Sequence, residues 1–111
     1  MYAEVFEMKE ITLTADNFTK EVLDSSLPVV VDFWASWCVP CTMMSAVIDE
    51  LAEQFDGKIK VGKVNVDEED TLAEQFNIDA IPAIYLFKDG KVAATSLGYK
   101  SKDALLKELG L

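Results

Sequence analysis

Val29-Val30-Val31-Asp32-Phe33-Trp34, followed by Ala35-Ser36-Trp37-Cys38-Val39-Pro40-Cys41, is the stretch on which the fold turns. VVVDFW is β-branched and aromatic, the composition of a central strand buried on both faces. Beyond it the period changes. Met44, Val47, Leu51 and Phe55 fall at helical spacing, Ile48 and Ala52 broaden the stripe, and Asp49, Glu50 and Glu53 occupy other faces. Residues 39–55 therefore read as a helix, which Asp56-Gly57 ends. A buried strand that leads into an amphipathic helix opens a βαβ unit.

The same reading extends in both directions. Residues 11–13 form a short apolar strand, and Thr14 can cap a helix carrying Phe18, Val22 and Leu23, with Pro28 stopping what precedes the central strand. Residues 58–66, with Ile59, Val61, Lys63 and Val66, make a second long strand. Asp70 can cap a short helix through Phe76, and Asn77 can close it. Residues 83–87 and 92–97 are strands joined by Lys88-Asp89-Gly90-Lys91, and Asp-Gly between apolar runs is a strong hairpin signal. Ser101 caps a last helix, residues 102–109, with Leu105, Leu106 and Leu109 inward and Gly110 after it. The order β-α-β-α-β-α-β-β-α predicts a three-layer α/β domain with a central mixed sheet flanked by helices.

Composition narrows the function. At 111 residues the chain reads as a single domain, 1–111, and with 50% hydrophobic residues it can form a core. The net charge of −10 argues against non-specific binding to nucleic acid or to anionic membranes. There is no histidine, which excludes Ser-His and Cys-His catalysis and any His metal site. The first ten residues hold no basic stretch and no long apolar run, so no signal peptide is expected, and no apolar run approaches membrane-spanning length. The expected location is the cytoplasm.

The two cysteines stand three residues apart, directly after a buried strand and at the start of a helix. Two cysteines at this spacing in a first helical turn can close a small disulfide ring. The helix N-terminus favours thiolate over thiol through its unpaired N–H groups and dipole. Pro40 sits where a missing N–H costs nothing. A closed zinc site needs further Cys or His ligands, and none exist. A redox pair is the favoured reading from spacing and context; a pair of structural buried cysteines is the alternative.

The segment Val31 to Cys41 closely resembles the active-site segment of the thioredoxin family. Asp49-Glu50-Leu51-Ala52, Gly57-Lys58, Lys63-Val64-Asn65-Val66-Asp67, Ile81-Pro82, Phe87-Lys88-Asp89-Gly90 and Gly98 follow in that family's order and spacing. The resemblance covers nearly the whole chain. It implies a general protein-disulfide reductase with a thioredoxin-like fold. Cys38 matches the more exposed nucleophile, and Cys41 the buried resolving cysteine. Asp32 lies between Val31 and Phe33, where solvent is not expected. A buried carboxylate has a raised pKa and can accept the Cys41 proton. Lys63 matches the family lysine near that carboxylate, although an ordinary exposed strand lysine fits the pattern equally well. Pro82 matches a cis proline facing the disulfide, which would present the Ile81 backbone to an extended substrate. Trp37, Val39, Pro40, Ala80, Ile81, Pro82, Gly98 and Tyr99 are the expected substrate-binding residues.

The same resemblance implies no bound cofactor and no metal, a redox-active Cys38–Cys41 disulfide, and a monomer. The implied partners are disulfide-containing proteins and a thioredoxin reductase that uses FAD and NADPH. Two other readings are a specialised redox partner of one target and a non-catalytic binding subunit. Some positions depart from the family pattern. Val39 replaces a usual glycine and stiffens the loop between the cysteines. Thr42 replaces a common basic residue, which leaves the Cys38 thiolate slightly less stabilised. Ala46 replaces a kinking proline, so the long helix should keep its backbone bonds. Ala80 and Tyr99 replace smaller residues and enlarge the rim of the docking patch.

Overall fold

A computed structural model describes residues 10–111. The expectation of no leader rests almost wholly on residues outside that range. Five strands form one mixed sheet: β1 (Ile11–Thr12), β2 (Val29–Trp34), β3 (Lys60–Asn65), β4 (Ala83–Lys88) and β5 (Lys91–Leu97). Their spatial order is β1-β3-β2-β4-β5. β3 runs parallel to β1 and to β2, while β4 is antiparallel to β2 and to β5. Three α-helices, α1 (Val39–Gln54), α2 (Asp70–Gln75) and α3 (Lys102–Leu109), and a π-helical turn, Thr19–Leu23, complete the described elements.

Alternation along β2 builds the layers, because successive side chains of a strand leave opposite faces. Val30 joins Met44, Ile48, Leu51, Leu105 and Leu109 of α1 and α3 on one face. Val29, Val31 and Phe33 join Phe18, Val22, Leu72 and Phe87 on the other. The second layer holds a ring cluster in which Phe33 packs on Tyr85 at 5.3 Å and Phe76 on Phe87 at 5.4 Å. Each such buried side chain contributes roughly 1.5–3 kcal/mol, so β2 is clamped from both sides. Asp32, two residues from Val30, projects toward the α1 layer.

The first expected helix is different in kind. Thr14 is not its cap: the Thr14 carbonyl accepts the Phe18 N–H at 3.0 Å in the turn before it, the N-cap is Phe18 with no side-chain capping bond, and Thr19–Leu23 is a π-helical turn closed by Asp24 N–H to the Thr19 carbonyl at 2.8 Å. A residue far away in sequence also meets this turn. Lys60 Nζ donates to the Glu21 carbonyl at 2.6 Å and so satisfies a carbonyl of the last turn. The α2 cap is also corrected. Asp70 is the first helical residue and Glu69 the N-cap, with no side-chain capping bond. The Glu69 carboxylate instead accepts the Ala15 N–H at 2.8 Å.

Other local expectations hold. Asp89 and Gly90 both have positive φ, as a type I′ hairpin requires. Ser101 accepts the Ala104 N–H, and Gly110 ends α3 in the left-handed conformation. α1 runs unbroken through Ala46. Leu86 pairs with Ala94 but Phe87 with Val92, which leaves Ala93 as a bulge in β5.

This topology sets where chemistry can occur. α1 starts just beyond the C-terminal end of β2. β4 is antiparallel to β2, so its first residue, Ala83, lies opposite Phe33 at that same end. β5 brings Leu97 opposite Ala83. Residues 35–41, 80–82 and 97–99 therefore meet at one edge of the sheet.

Candidate active site

Cys38 and Cys41 form a disulfide with a Cα–Cα separation of 5.2 Å. A turn delivers them, with the Cys38 N–H donating to the Ala35 carbonyl at 3.2 Å. Cys38 is itself the N-cap of α1, and its sulfur accepts the Cys41 N–H at 3.2 Å. An N-cap sulfur takes the place of the usual Ser or Asp oxygen, so the helix end that needs an acceptor also favours a thiolate. Pro40 lies in the first turn, where its missing donor costs nothing.

The resemblance implies a Cys38 more exposed than the buried Cys41. In the disulfide form both are buried, at 5% and 3% exposure. They pack with Ala35, Trp34, Val66 and Ile81, and sulfurs joined in so short a ring share one environment.

The Ile81–Pro82 peptide bond is cis, and the Ile81 carbonyl oxygen lies 3.9 Å from Cys38 Sγ. Gly98 N–H donates to the Pro82 carbonyl at 2.8 Å, which fixes Gly98 beside it. Trp37 is 67% exposed and is steered by its Nε1–H, which donates to Asp67 Oδ2 at 2.8 Å. Val39, Pro40 and Ala80 are exposed, Tyr99 is 47% exposed, Ile81 is half-buried and Pro82 is buried. Pro82 thus contributes backbone more than side-chain surface. Sequence reading overlooked Met43, exposed one turn after Val39, and the groove that Val66, Ile78 and Asp79 share with Trp37, Ala80 and Ile81. The i, i+4 pair Val39 and Met43 lies off the buried stripe of Met44, Ile48 and Leu51, and that offset was the available signal.

Behind the disulfide lies a cavity of about 190 Å³ lined by Asp32, Trp34, Cys41, Thr42, Ser45 and Lys63. Asp32 is 1% exposed, and its Oδ1 has no hydrogen-bond partner among the described residues. Burial raises its pKa to about 7; Lys63 pulls it down and Asp49 pushes it up. Lys63 is level with Asp32 across the β2–β3 ladder. Its hydrogen bond nonetheless goes elsewhere, to Ser45 Oγ at 3.0 Å, and its ion pair is with Glu10 Oε1 at 3.4 Å. The expected pairing of Lys63 with Asp32 is therefore one of charge across the ladder. Glu10, Ser45 and Asp49 were not anticipated, since they come from three points of the chain that only the folded sheet and α1 bring together.

Thr42 is exposed in the first turn of α1, and its Oγ1 donates to the Cys38 carbonyl at 3.4 Å. Thr42→Lys is expected to raise the Cys38 thiolate population of the reduced protein at neutral pH by about two- to threefold, a modest gain because the added ammonium is solvated. Iodoacetamide alkylation rates check this, and an unchanged rate would refute it.

Among the described residues no group of three or more His, Cys, Asp or Glu could hold a metal ion, and no helix is long and apolar enough to cross a membrane. Residues 9–110 match the family model described as Thioredoxin. The chain is 47% identical over 94 residues to a thioredoxin of Rickettsia felis, covering 85% of this chain and 90% of that protein. It is 47% identical over 97 residues to thioredoxin 1 of Nostoc sp., covering 87% and 91%. A thioredoxin of Pyropia yezoensis is 43% identical over 97 residues, covering 87% and 91%.

Proposed function

This chain belongs to the thioredoxin family and is a thiol–disulfide reductase built on the Cys38–Cys41 pair, and on that premise we propose a general protein-disulfide reductase in which the two cysteines have unequal roles. In the reduced protein the Cys38 thiolate attacks one sulfur of a substrate disulfide. The substrate S–S bond breaks, its other sulfur leaves as a thiolate, and a mixed disulfide forms on Cys38. The Cys41 thiol then gives its proton to the Asp32 carboxylate. The Cys41 thiolate attacks Cys38 Sγ and releases the second substrate sulfur as a thiolate. Two electrons pass to the substrate, and the protein ends as the Cys38–Cys41 disulfide.

One observation carries the assignment. Cys38 is the N-cap whose sulfur receives a helix N–H, whereas Cys41 shares the internal cavity with Asp32. The first cysteine is stabilised as an anion, and the second faces a base with a pKa near neutrality. The cavity is lined by polar groups of Asp32, Thr42, Ser45 and Lys63 among apolar surface and is large enough to admit water between the thiol and the carboxylate. Lys63 sets the local charge. An extended substrate segment would pair with the Ile81 backbone, with Trp37, Val39, Pro40, Ala80, Pro82, Gly98 and Tyr99 around it. A thioredoxin reductase, using FAD and NADPH, would return the electrons. The protein would work as a cytoplasmic monomer of one domain.

Asp32→Ala tests the division of labour. Resolution of the mixed disulfide is expected to slow about tenfold or more near neutral pH, with initial attack changed less than about twofold. Stopped-flow kinetics separates the two steps, and equal slowing of both would overturn the assignment.

A further inference from the structure

Lys63 is the cation beside Asp32, yet its polar contacts point away from it. Its ammonium donates to Ser45 Oγ on α1 at 3.0 Å and sits 3.4 Å from Glu10 Oε1, just before β1. β1 lies alongside β3, with Thr12 level with Lys63, so the edge strand carries Glu10 to Lys63, which lines the Asp32 cavity. Both ion-pair partners are about three-quarters buried, with side-chain exposures of 26% and 22%. Such a pair is screened far less than a surface pair. Asp32 Oδ1 meanwhile has no partner among the described residues.

We propose that Glu10 is a positioning residue that, together with Ser45, holds the Lys63 ammonium off Asp32 and neutralises its charge, leaving Asp32 free to take the Cys41 proton. This rests on the proton-acceptor role given to Asp32 above. An ammonium paired directly with Asp32 would favour its anion and weaken it as a base. The charged and titratable groups around this centre are Lys63 from β3, Asp49 from α1, Glu10 from the segment before β1, and Cys41 at the start of α1. Burial raises Glu10 to about 7, with Asp49 pushing it the same way and Lys63 pulling it down. Glu10 therefore becomes an anion over the same pH range in which Asp32 does. Glu10 acts on Asp32 through Lys63, since Lys63 and Asp49 are the charges that shift Asp32.

The test is a double-mutant cycle read on the oxidised protein. The Asp32 carboxyl carbon is titrated by NMR in the native chain, Glu10→Gln, Lys63→Met and the double variant. Glu10→Gln is expected to lower the Asp32 midpoint by about one pH unit, because Lys63 loses its counter-charge. In the Lys63→Met background the same substitution is expected to leave the midpoint unmoved. Ser45→Ala, which removes only one tether, is expected to move it in the same direction by less. An unmoved midpoint in Glu10→Gln, or a full shift that persists without Lys63, would overturn the proposal. The resolution rate is then followed against pH in Glu10→Gln. A profile that tracks the moved midpoint supports the whole scheme. A moved midpoint that the rate ignores would uphold the placement of Lys63 and overturn the proton-acceptor reading of Asp32.

Discussion

Cys38→Ser is expected to reduce catalysed insulin reduction by dithiothreitol to the uncatalysed background, a loss of more than about 100-fold, because the remaining thiol, Cys41, is buried and lacks the N-cap position that favours a thiolate. Serine is a good N-cap, so α1 keeps its first-turn acceptor and the fold survives. Losing the disulfide, a ring with a sequence separation of 3, costs the oxidised form about 2 kcal/mol of chain-entropy stabilisation. The variant can therefore be compared with the reduced native chain, which lacks that cross-link too. Cys41→Ser is expected to fail differently. It should release one substrate thiol per protein and then stop, with the substrate held on Cys38 as a mixed disulfide visible by mass spectrometry. A native protein inert in the turbidity assay would favour the binding-subunit reading. An active Cys38→Ser would mean that the cysteine roles are assigned wrongly.

The second large effect is on stability and concerns the same carboxylate that serves the reaction. Asp32 has a pKa of about 7 in the folded chain against 3.8 for the free group. Between these values the native state binds a proton that the unfolded chain has lost, so unfolding free energy falls as pH rises. The stabilisation is complete below the unfolded value, declines through the window, and is gone above about 7. A shift of roughly three units corresponds to on the order of 4 kcal/mol. Asp32→Asn keeps the shape and removes the titration. Its stability relative to the native chain is expected to rise by about 4 kcal/mol between about pH 4 and about pH 8. The buried amide adds its own cost of roughly 1–3 kcal/mol, but that cost does not vary with pH. Glu10 titrates in both proteins, so only its coupling to Asp32 through Lys63 enters the comparison. Denaturant unfolding at several pH values measures the difference, and a gap independent of pH would mean that Asp32 is not buried as a titrating acid. An activity loss joined to a stability gain in one variant is the expected signature of a group kept for chemistry at the expense of the fold.

Much of this site was legible before any coordinates. VVVDFW could only be a buried strand, because its apolar residues fill both faces. That placed Asp32 inside a core and made its charge the anomaly to explain. Cys38 and Cys41 sat where a strand becomes a helix, and local backbone geometry makes that junction an anion site. Asp89-Gly90 and Gly110 required positive φ, and the structure shows it at Asp89, Gly90 and Gly110. These features depend on a few neighbouring residues and their intrinsic preferences.

Other features came from contacts between distant segments and left no local trace. Lys60 reaches the Glu21 carbonyl at the end of the π turn Thr19–Leu23 from 39 residues away. The N-cap of α2 falls on Glu69 and not on Asp70, and the Glu69 carboxylate is engaged by Ala15. The cis bond at Ile81–Pro82 was expected through family resemblance, since the dipeptide alone would favour trans.

The opening stretch shows the same division. By itself the sequence determined that a strand bearing Asp32 leads into a helix whose first turn bears two cysteines, because periodicity and helix-end electrostatics are properties of adjacent residues. Only the tertiary structure decided what surrounds them. Strand order set Ile81 beside Cys38, closed both sulfurs into one buried environment, and turned the Lys63 ammonium toward Glu10 and Ser45. Charges act through space, and the distances that govern them exist only once the sheet has formed.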